Sequence, residues 1–434
     1  MTTTVGVSRL PSGQPALAPV RATRTWVPSG DSGSRRRKLA ATLGGLGPAV
    51  VAAIAYVDPG NVATNISAGA GQGYLLVWVV VLANLVAVLV QNLSAKLGLA
   101  TGQSLARLCR DRFTKPVSRM LWVQAEAVAM ATDVAEILGG ALALNLLFGL
   151  PLVQGALVTA VAAFGLLKLQ SRGATRFEVV VGGLFAVILL GFLVNVVTAR
   201  PDAGDMAAGM VPRLGGPDSI TLATGILGAT VMPHVIYLHS AMTAREHHRQ
   251  GVIQRLRQHR RAIAVALGAA GLVNLSMLVF ASALFSGSAA PVDSIEGAYE
   301  AMSSSGGHWS ALLLAVALLA SGLASTGVGT YAGQIVMDGF LRRRIPLLTR
   351  RLLSVVPAVV LLAFGVNATA ALVVSQVVLS FGVPFALIPL LMFTRRRDVM
   401  GDLVNRTRTT VLAGICSALI IALNVLLLVR LVRS

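Results

Sequence analysis

The chain has 434 residues, of which 55% are hydrophobic and only 12% charged. A soluble fold would be left with too little polar surface to cover its core, so the chain reads as an integral membrane protein. The net charge of +19 would suit nucleic acid, but the basic residues fall in short clusters between apolar runs, with no single basic face and no aromatic platform, and that partner is set aside.

Residues 1–34 are rich in Arg, Ser and Pro, contain one acid, Asp31, and lack apolar periodicity. They are expected to form a disordered tail, with a domain boundary at residue 38. Arg35-Arg36-Arg37-Lys38 then precedes an apolar run that is followed at once by others, without a small-residue cleavage site, so it opens a first span and not a removed signal. Apolar stretches of bilayer length are expected near 40–70 (interrupted), 74–97, 118–148, 151–170, 177–198, 219–244 (interrupted), 262–286, 309–339, 351–367, 369–393 and 409–431. The expectation is an all-α membrane protein of eleven spans, its lipid partner being the bilayer itself. Cys109 is placed in a basic loop and Cys416 in the last apolar segment, which gives no disulfide framework.

Charge orients these spans. With a cytoplasmic amino terminus, the inner loops receive Arg107, Arg110, Arg112 and Lys115; Lys168, Arg172 and Arg176; Arg245 through Arg261; Arg342 to Arg344 with Arg350 and Arg351; and Arg395 to Arg397. The outer segments hold only Arg200 and Arg213, apart from Arg430 and Arg433 at the far end, and the loop around Asp293, Glu296 and Glu300 has no Lys or Arg. The positive-inside bias therefore predicts a cytoplasmic amino terminus and an external carboxyl terminus.

Two spans are broken, the first by Asp58-Pro59-Gly60-Asn61 and the sixth by Met232-Pro233-His234. With spans one to five (39–198) and six to ten (199–393) as halves, and span eleven in 394–434, the breaks correspond, and an odd number of spans per half inverts one half relative to the other. Matched discontinuous helices of this kind mark inverted-repeat transporters. A proline in a membrane helix is often only a kink; two at matching positions, each beside polar or polarisable side chains, indicate more. A carboxylate such as Asp58 costs about 2.5 to 3.5 kcal/mol at mid-membrane and calls for a functional explanation.

Proline has no N–H, so Pro59 leaves the carbonyl of Ala55 without its donor, and Pro233 does the same to Ala229. Gly60 is expected to give the chain the freedom a break needs. Oxygens from Asp58, Asn61, Ala55 and Ala229 suit a hard or borderline divalent cation. Met232 adds a thioether, which manganese, iron, cobalt and cadmium tolerate or favour and calcium and magnesium do not, although most methionines merely fill core gaps.

These two motifs resemble the signatures of the Nramp family of proton-coupled manganese and ferrous iron transporters. The likeness extends over about 39–431 and includes Gln91-Asn92-Leu93-Ser94-Ala95-Lys96-Leu97-Gly98 and Ser375-Gln376 followed by Phe381-Gly382-Val383-Pro384. The resemblance implies a LeuT-like fold with a 5+5 inverted repeat, in which Asp58, Asn61, Met232 and the carbonyls of Ala55 and Ala229 bind the metal and Gln376 joins when the site is occluded. It implies transported Mn²⁺ or Fe²⁺ with H⁺ as co-substrate, no resident cofactor and no enzymatic activity. Retention of Met232 argues against related magnesium or aluminium carriers.

Glu126, Asp133 and Glu136 lie seven and three residues apart, on roughly one face of the third span. The resemblance makes them a proton route toward the cytoplasm, with Arg350 and Arg351 as partners and His234 near the entrance; Asp58 would bind the proton when empty of metal. A neutral hydrogen-bonded core histidine accounts for His234 equally well, and positive-inside anchoring accounts for the arginine pair. His239 has no role implied by the family, and His247 and His248 are expected to be solvated in a basic loop.

The residues alone also allow a symporter for an organic substrate such as an amino acid, which the acid at the break disfavours, or a divalent cation channel. A membrane enzyme is disfavoured by the lack of a His-Glu-x-x-His pattern or catalytic pairs. The composition, rich in Ala, Gly, Leu, Val and Arg, fits a bacterial inner membrane, and the oligomeric state is left open, a monomer included.

Overall fold

The bilayer has no water to satisfy exposed backbone groups, so a chain of this hydropathy must fold into helices that bond within themselves or into a closed barrel. The computed structural model is helical throughout its described part, residues 47–433 except 172–173, 248–250, 288–291, 293, 305–306 and 343–345. The expected tail, its basic cluster, and Arg172, His248, Asp293, Arg343 and Arg344 lie outside the described residues.

The first five spans are α1 (Gly47–Ala55) with α2 (Pro59–Gln72), α3 (Val77–Thr101), α5 (Lys115–Phe148), α6 (Leu152–Ser171) and α7 (Ala174–Ala199), with a short α4 (Leu105–Arg112) between the second and third. After α8 (Ala203–Ala208) come α9 (Pro217–Thr230) with α10 (Pro233–Ala244), then α11 (Val252–Phe285). The chain continues through α12 (Ile295–Ser304), α13 (His308–Leu341), α14 (Leu347–Ala363), α15 (Ala368–Thr394), α16 (Arg397–Met400) and α17 (Thr407–Arg433). By length and composition, 8 described segments can cross a membrane, and two shorter apolar helices, Leu152–Leu166 and Leu352–Ala363, lie within α6 and α14. One of the eight, Pro59–Thr101, turns at Gly73 (φ 57°) and holds both α2 and α3. Counting it twice gives the eleven expected spans. Only glycine enters that left-handed region without strain, so Gly73 sets where the first span ends and the second begins.

Several boundaries differ from the expected ones for one reason: apolar runs report only the part of a helix inside hydrocarbon. Arg255, Arg257, Arg260 and Arg261, expected in a loop, form the first turns of α11, because arginine is a good helix former. Cys109 is buried on α4, not in a loop; Ser104 caps that helix, accepting from the Arg107 N–H at 3.2 Å. The acid-bearing segment after α11 contains α12, which carries Glu296 and Glu300. His247 is exposed but bonded: its Nδ1 donates to the Leu99 carbonyl at 2.6 Å.

Packing follows a two-fold pattern. α2 packs on α11 as α10 packs on α3; α1 meets α7 as α9 meets α15; α5 touches α15 and α14 as α13 touches α7 and α6. The pairs that such an axis would place against each other, α3 with α11, α5 with α13 and α6 with α14, are also in contact. Exchanging the first five spans for the second five maps these contacts onto one another, as an inverted repeat requires. Close approach depends on small residues, as is usual between membrane helices: a Cβ at Gly322 of α13 would stand 3.1 Å from the Gly140 nitrogen and 3.2 Å from the Glu136 carbonyl of α5.

Candidate functional site

The first break begins where α1 stops. The N–H groups of Tyr56 and Val57 return to the carbonyls of Ala53 and Ile54, both at 3.1 Å, and Pro59, four residues beyond Ala55, has no N–H to give. Two side chains from the other half hold the exposed backbone: Asn274 of α11 donates to the Tyr56 carbonyl at 3.0 Å, and Ser321 of α13 donates to the Val57 carbonyl at 2.6 Å. Asp58 is extended (φ −73°, ψ 167°) and caps α2, with Pro59 in the first turn. Its Oδ1 accepts from the Asn61 backbone N–H at 2.9 Å and from Asn61 Nδ2 at 2.7 Å.

The second break is built alike. α9 ends at Thr230, the Val231 N–H returns to Leu227 at 2.8 Å, and Met232 precedes Pro233 as the cap residue of α10, without a side-chain cap bond. The Ala229 carbonyl, left without its helical donor by Pro233, accepts from Asn61 Nδ2 at 2.9 Å. One amide therefore ties the carboxylate of the first break to the carbonyl of the second.

Gln376 of α15 closes the group, its Nε2 lying 3.4 Å from Asp58 Oδ2. Glycine makes this approach possible. A Cβ on Gly60 would overlap the Gln376 side chain, and one on Gly228 would overlap its backbone carbonyl. Gly60 itself lies within α2 and has no positive φ, so the expectation that it loosens the backbone is corrected: its value is space.

Asp58, Asn61, Met232, Ala229 and Gln376 are each 0% exposed and Ala55 3%; hydrogen bonds join Asp58, Asn61, the Ala229 carbonyl and Gln376 into one group, while Ala55 ends α1 and Met232 caps α10 at the two breaks. Asn61 Oδ1 and Gln376 Oε1 are buried without a hydrogen-bond partner, and an unsatisfied buried oxygen costs about 1 to 3 kcal/mol. The ends of four half-helices meet here, two carbonyl-rich and two N–H-rich. Among the described residues no three His, Cys, Asp or Glu side chains gather as a metal cluster; a cation here would be held by one carboxylate with amides, backbone oxygens and sulfur.

The three expected acids lie on α5. Asp133 and Glu136 are buried and both face Gly329 of α13, where an added Cβ would lie 3.2 Å from Asp133 Oδ1 and 2.8 Å from Glu136 Oε1. Glu126 is half-buried. His234 is buried, with Nδ1 3.5 Å from Thr132 Oγ1, next to Asp133. Arg350 and Arg351 lie on α14, and Ser354, one turn along, donates to Asp133 Oδ2 at 2.9 Å.

Sequence reasoning missed the polar side chains that support the breaks, Asn274, Ser321 and Ser354, because a single Ser or Asn in an apolar span carries no local pattern. It also left His239 without a role. In the fold, His239 Nδ1 donates to Gln91 Oε1 at 2.7 Å and Gln91 Nε2 donates to the Tyr56 hydroxyl at 2.6 Å, a buried chain from α10 to the first break.

The family model described as Nramp, natural resistance-associated macrophage protein-like, matches residues 49–430. The chain belongs to the Nramp family. It is 51% identical over 389 residues to a protein named divalent metal cation transporter MntH from Deinococcus radiodurans, covering 87% of this chain and 88% of that one. It is 47% identical to the protein of the same name from Bacillus subtilis, over 88% of this chain and 91% of the relative. Among solved structures, a manganese transporter from Eremococcus coleocola superposes with a TM-score of 0.80 at 32% identity, covering 92% of this chain and 88% of the other. The closed form of Mhp1, a nucleobase-cation-symport transporter, matches at a TM-score of 0.55 and 17% identity over 88% and 91%, which shows a shared fold. This Nramp protein therefore has the expected LeuT-like architecture, and its relatives are named as transporters, not enzymes.

Proposed function

We propose that the protein carries divalent transition-metal ions, Mn²⁺ first and Fe²⁺, Co²⁺ and Cd²⁺ with it, across the bacterial inner membrane together with protons by alternating access. The observation that supports this most is the Asn61 amide between Asp58 and Ala229. Its Nδ2 donates to a carboxylate from one break and a carbonyl from the other, the place where a cation would bind both. In the loaded state the amide turns its orphaned Oδ1 to the metal, Met232 adds sulfur, the Ala55 carbonyl adds a further oxygen, and Gln376 completes the shell.

The sulfur decides the choice of ion. Calcium and magnesium gain little from a thioether and pay its desolvation penalty in full, whereas the softer ions recover it. Protons leave along Asp133, Glu136 and Glu126, with His234 near the entrance and Arg350 and Arg351 as partners. The two breaks let one half rock against the other around a fixed site. Basic loops face the cytoplasm, which puts the amino terminus inside and the carboxyl terminus outside.

Purified protein in proteoliposomes tests this with a panel of divalent ions and a set pH gradient. Saturable Mn²⁺ uptake, accelerated when the proton gradient runs the same way and not inhibited by calcium or magnesium, is the expected result. Unitary currents, or Mn²⁺ flux indifferent to the pH gradient, would contradict alternating access with protons.

A further inference from the structure

The Gln91–Gly98 motif contains a lysine, Lys96, that the transport site does not use. Lys96 is 8% exposed and lies within α3. Its ammonium has three donors, of which one goes to Asn405 Oδ1 at 2.8 Å, and it makes no ion pair among the described residues. Asn405 is held in turn by Thr394 at the end of α15, through its backbone N–H at 3.0 Å and its Nδ2 at 2.9 Å. A buried cation in such a place needs a counter-charge or a path to water.

Lys96 opens onto a crevice of about 620 Å³ between α3, the start of α11 and the turn that leads into α17. Arg260 and Arg406 line the same crevice and stand close enough to repel the lysine's charge; one carboxylate, Asp402, lines it too. Three cations thus line the crevice with one acid, an arrangement that favours an anion among them. The same helices also line it with apolar side chains: Leu85, 62% exposed, with Val88 and Leu89 on α3, and Leu256 on α11. A crevice lined by both cations and apolar side chains at the end of membrane helices has the form of a phospholipid site, with phosphate on the charges and acyl chain along the leucines.

We propose that this crevice binds an anionic phospholipid whose phosphate sits among Lys96, Arg260 and Arg406, clamping α3, α11 and the α15–α17 turn together. Free phosphate offers the same headgroup chemistry but would leave the apolar side chains bare.

The test is lipid binding to the full-length protein in detergent, followed by native mass spectrometry and thermal unfolding with added phosphatidylglycerol, phosphatidylcholine or inorganic phosphate. Phosphatidylglycerol is expected to bind and raise the unfolding temperature, phosphatidylcholine and phosphate not. The exposed double variant Arg260→Gln/Arg406→Gln, which leaves every buried contact in place, is expected to bind phosphatidylglycerol about 30-fold more weakly, as the loss of two surface charges implies. Lys96→Met is expected to abolish the preference for phosphatidylglycerol over phosphatidylcholine. Equal binding of the two lipids, an undiminished phosphatidylglycerol effect in the double variant, or an equal effect of inorganic phosphate would overturn the proposal. None of these readouts depends on transport.

Discussion

Asp58 carries two duties that a single substitution can separate. As the cap of α2 it takes the Asn61 N–H, and as a charge it offers the site's one carboxylate. Asparagine caps a helix as well as aspartate does but brings no charge. Asp58→Asn is therefore expected to unfold within a few degrees of the parent while Mn²⁺ uptake in proteoliposomes falls at least tenfold; uptake near the parent rate would mean the charge is dispensable. Met232→Ala is expected to keep manganese uptake but let calcium or magnesium compete, and unchanged competition would make the methionine a packing residue. At this scale the sequence was informative where chemistry is local: proline, aspartate and methionine announce themselves by type and position. It was silent on Asn274 and Ser321, whose importance comes from the carbonyls they meet 218 and 264 residues away.

The breaks are ends of helices, not kinks, and what fixes them comes from neighbouring elements. Removing the hydroxyl that holds the Val57 carbonyl should leave a buried acceptor unsatisfied. Ser321→Ala is thus expected to cost about 1 to 3 kcal/mol, read as a lowered unfolding temperature, and an unchanged value would show that water replaces the serine. Gly60→Ala forces α2 and α15 apart through the Gln376 side chain. Overpacking of this kind costs about 1 to 3 kcal/mol, and a larger loss in uptake rate than in stability is expected, since the displaced group belongs to the proposed site. Periodicity and apolar length located the spans, because those are properties of one helix. They could not show that Gly60 is conserving room for a side chain 316 positions on, nor that α11 begins at Val252, ahead of the expected span, with arginines in its first turns.

Across the whole molecule, the eleven spans, the two-fold exchange of contacts and the matched breaks agree, and the count of spans made the inversion legible before the fold was known. Which end faces the cytoplasm rests on charge. Asp205→Cys, on the exposed α8, is expected to react with a membrane-impermeant maleimide in intact cells, and Arg395→Cys, after α15, only after permeabilisation. The reverse pattern would invert the topology, and with it the direction assigned to the acids of α5.

The central claim is that the two breaks jointly hold the transported metal. Anomalous diffraction from crystals grown with Mn²⁺ tests it without reference to rates. The expected result is one strong peak within bonding distance of the Asp58 carboxylate and the Met232 sulfur, between the Ala55 and Ala229 carbonyls. A peak elsewhere, with density at the breaks explained by Asn61 and water alone, would contradict it.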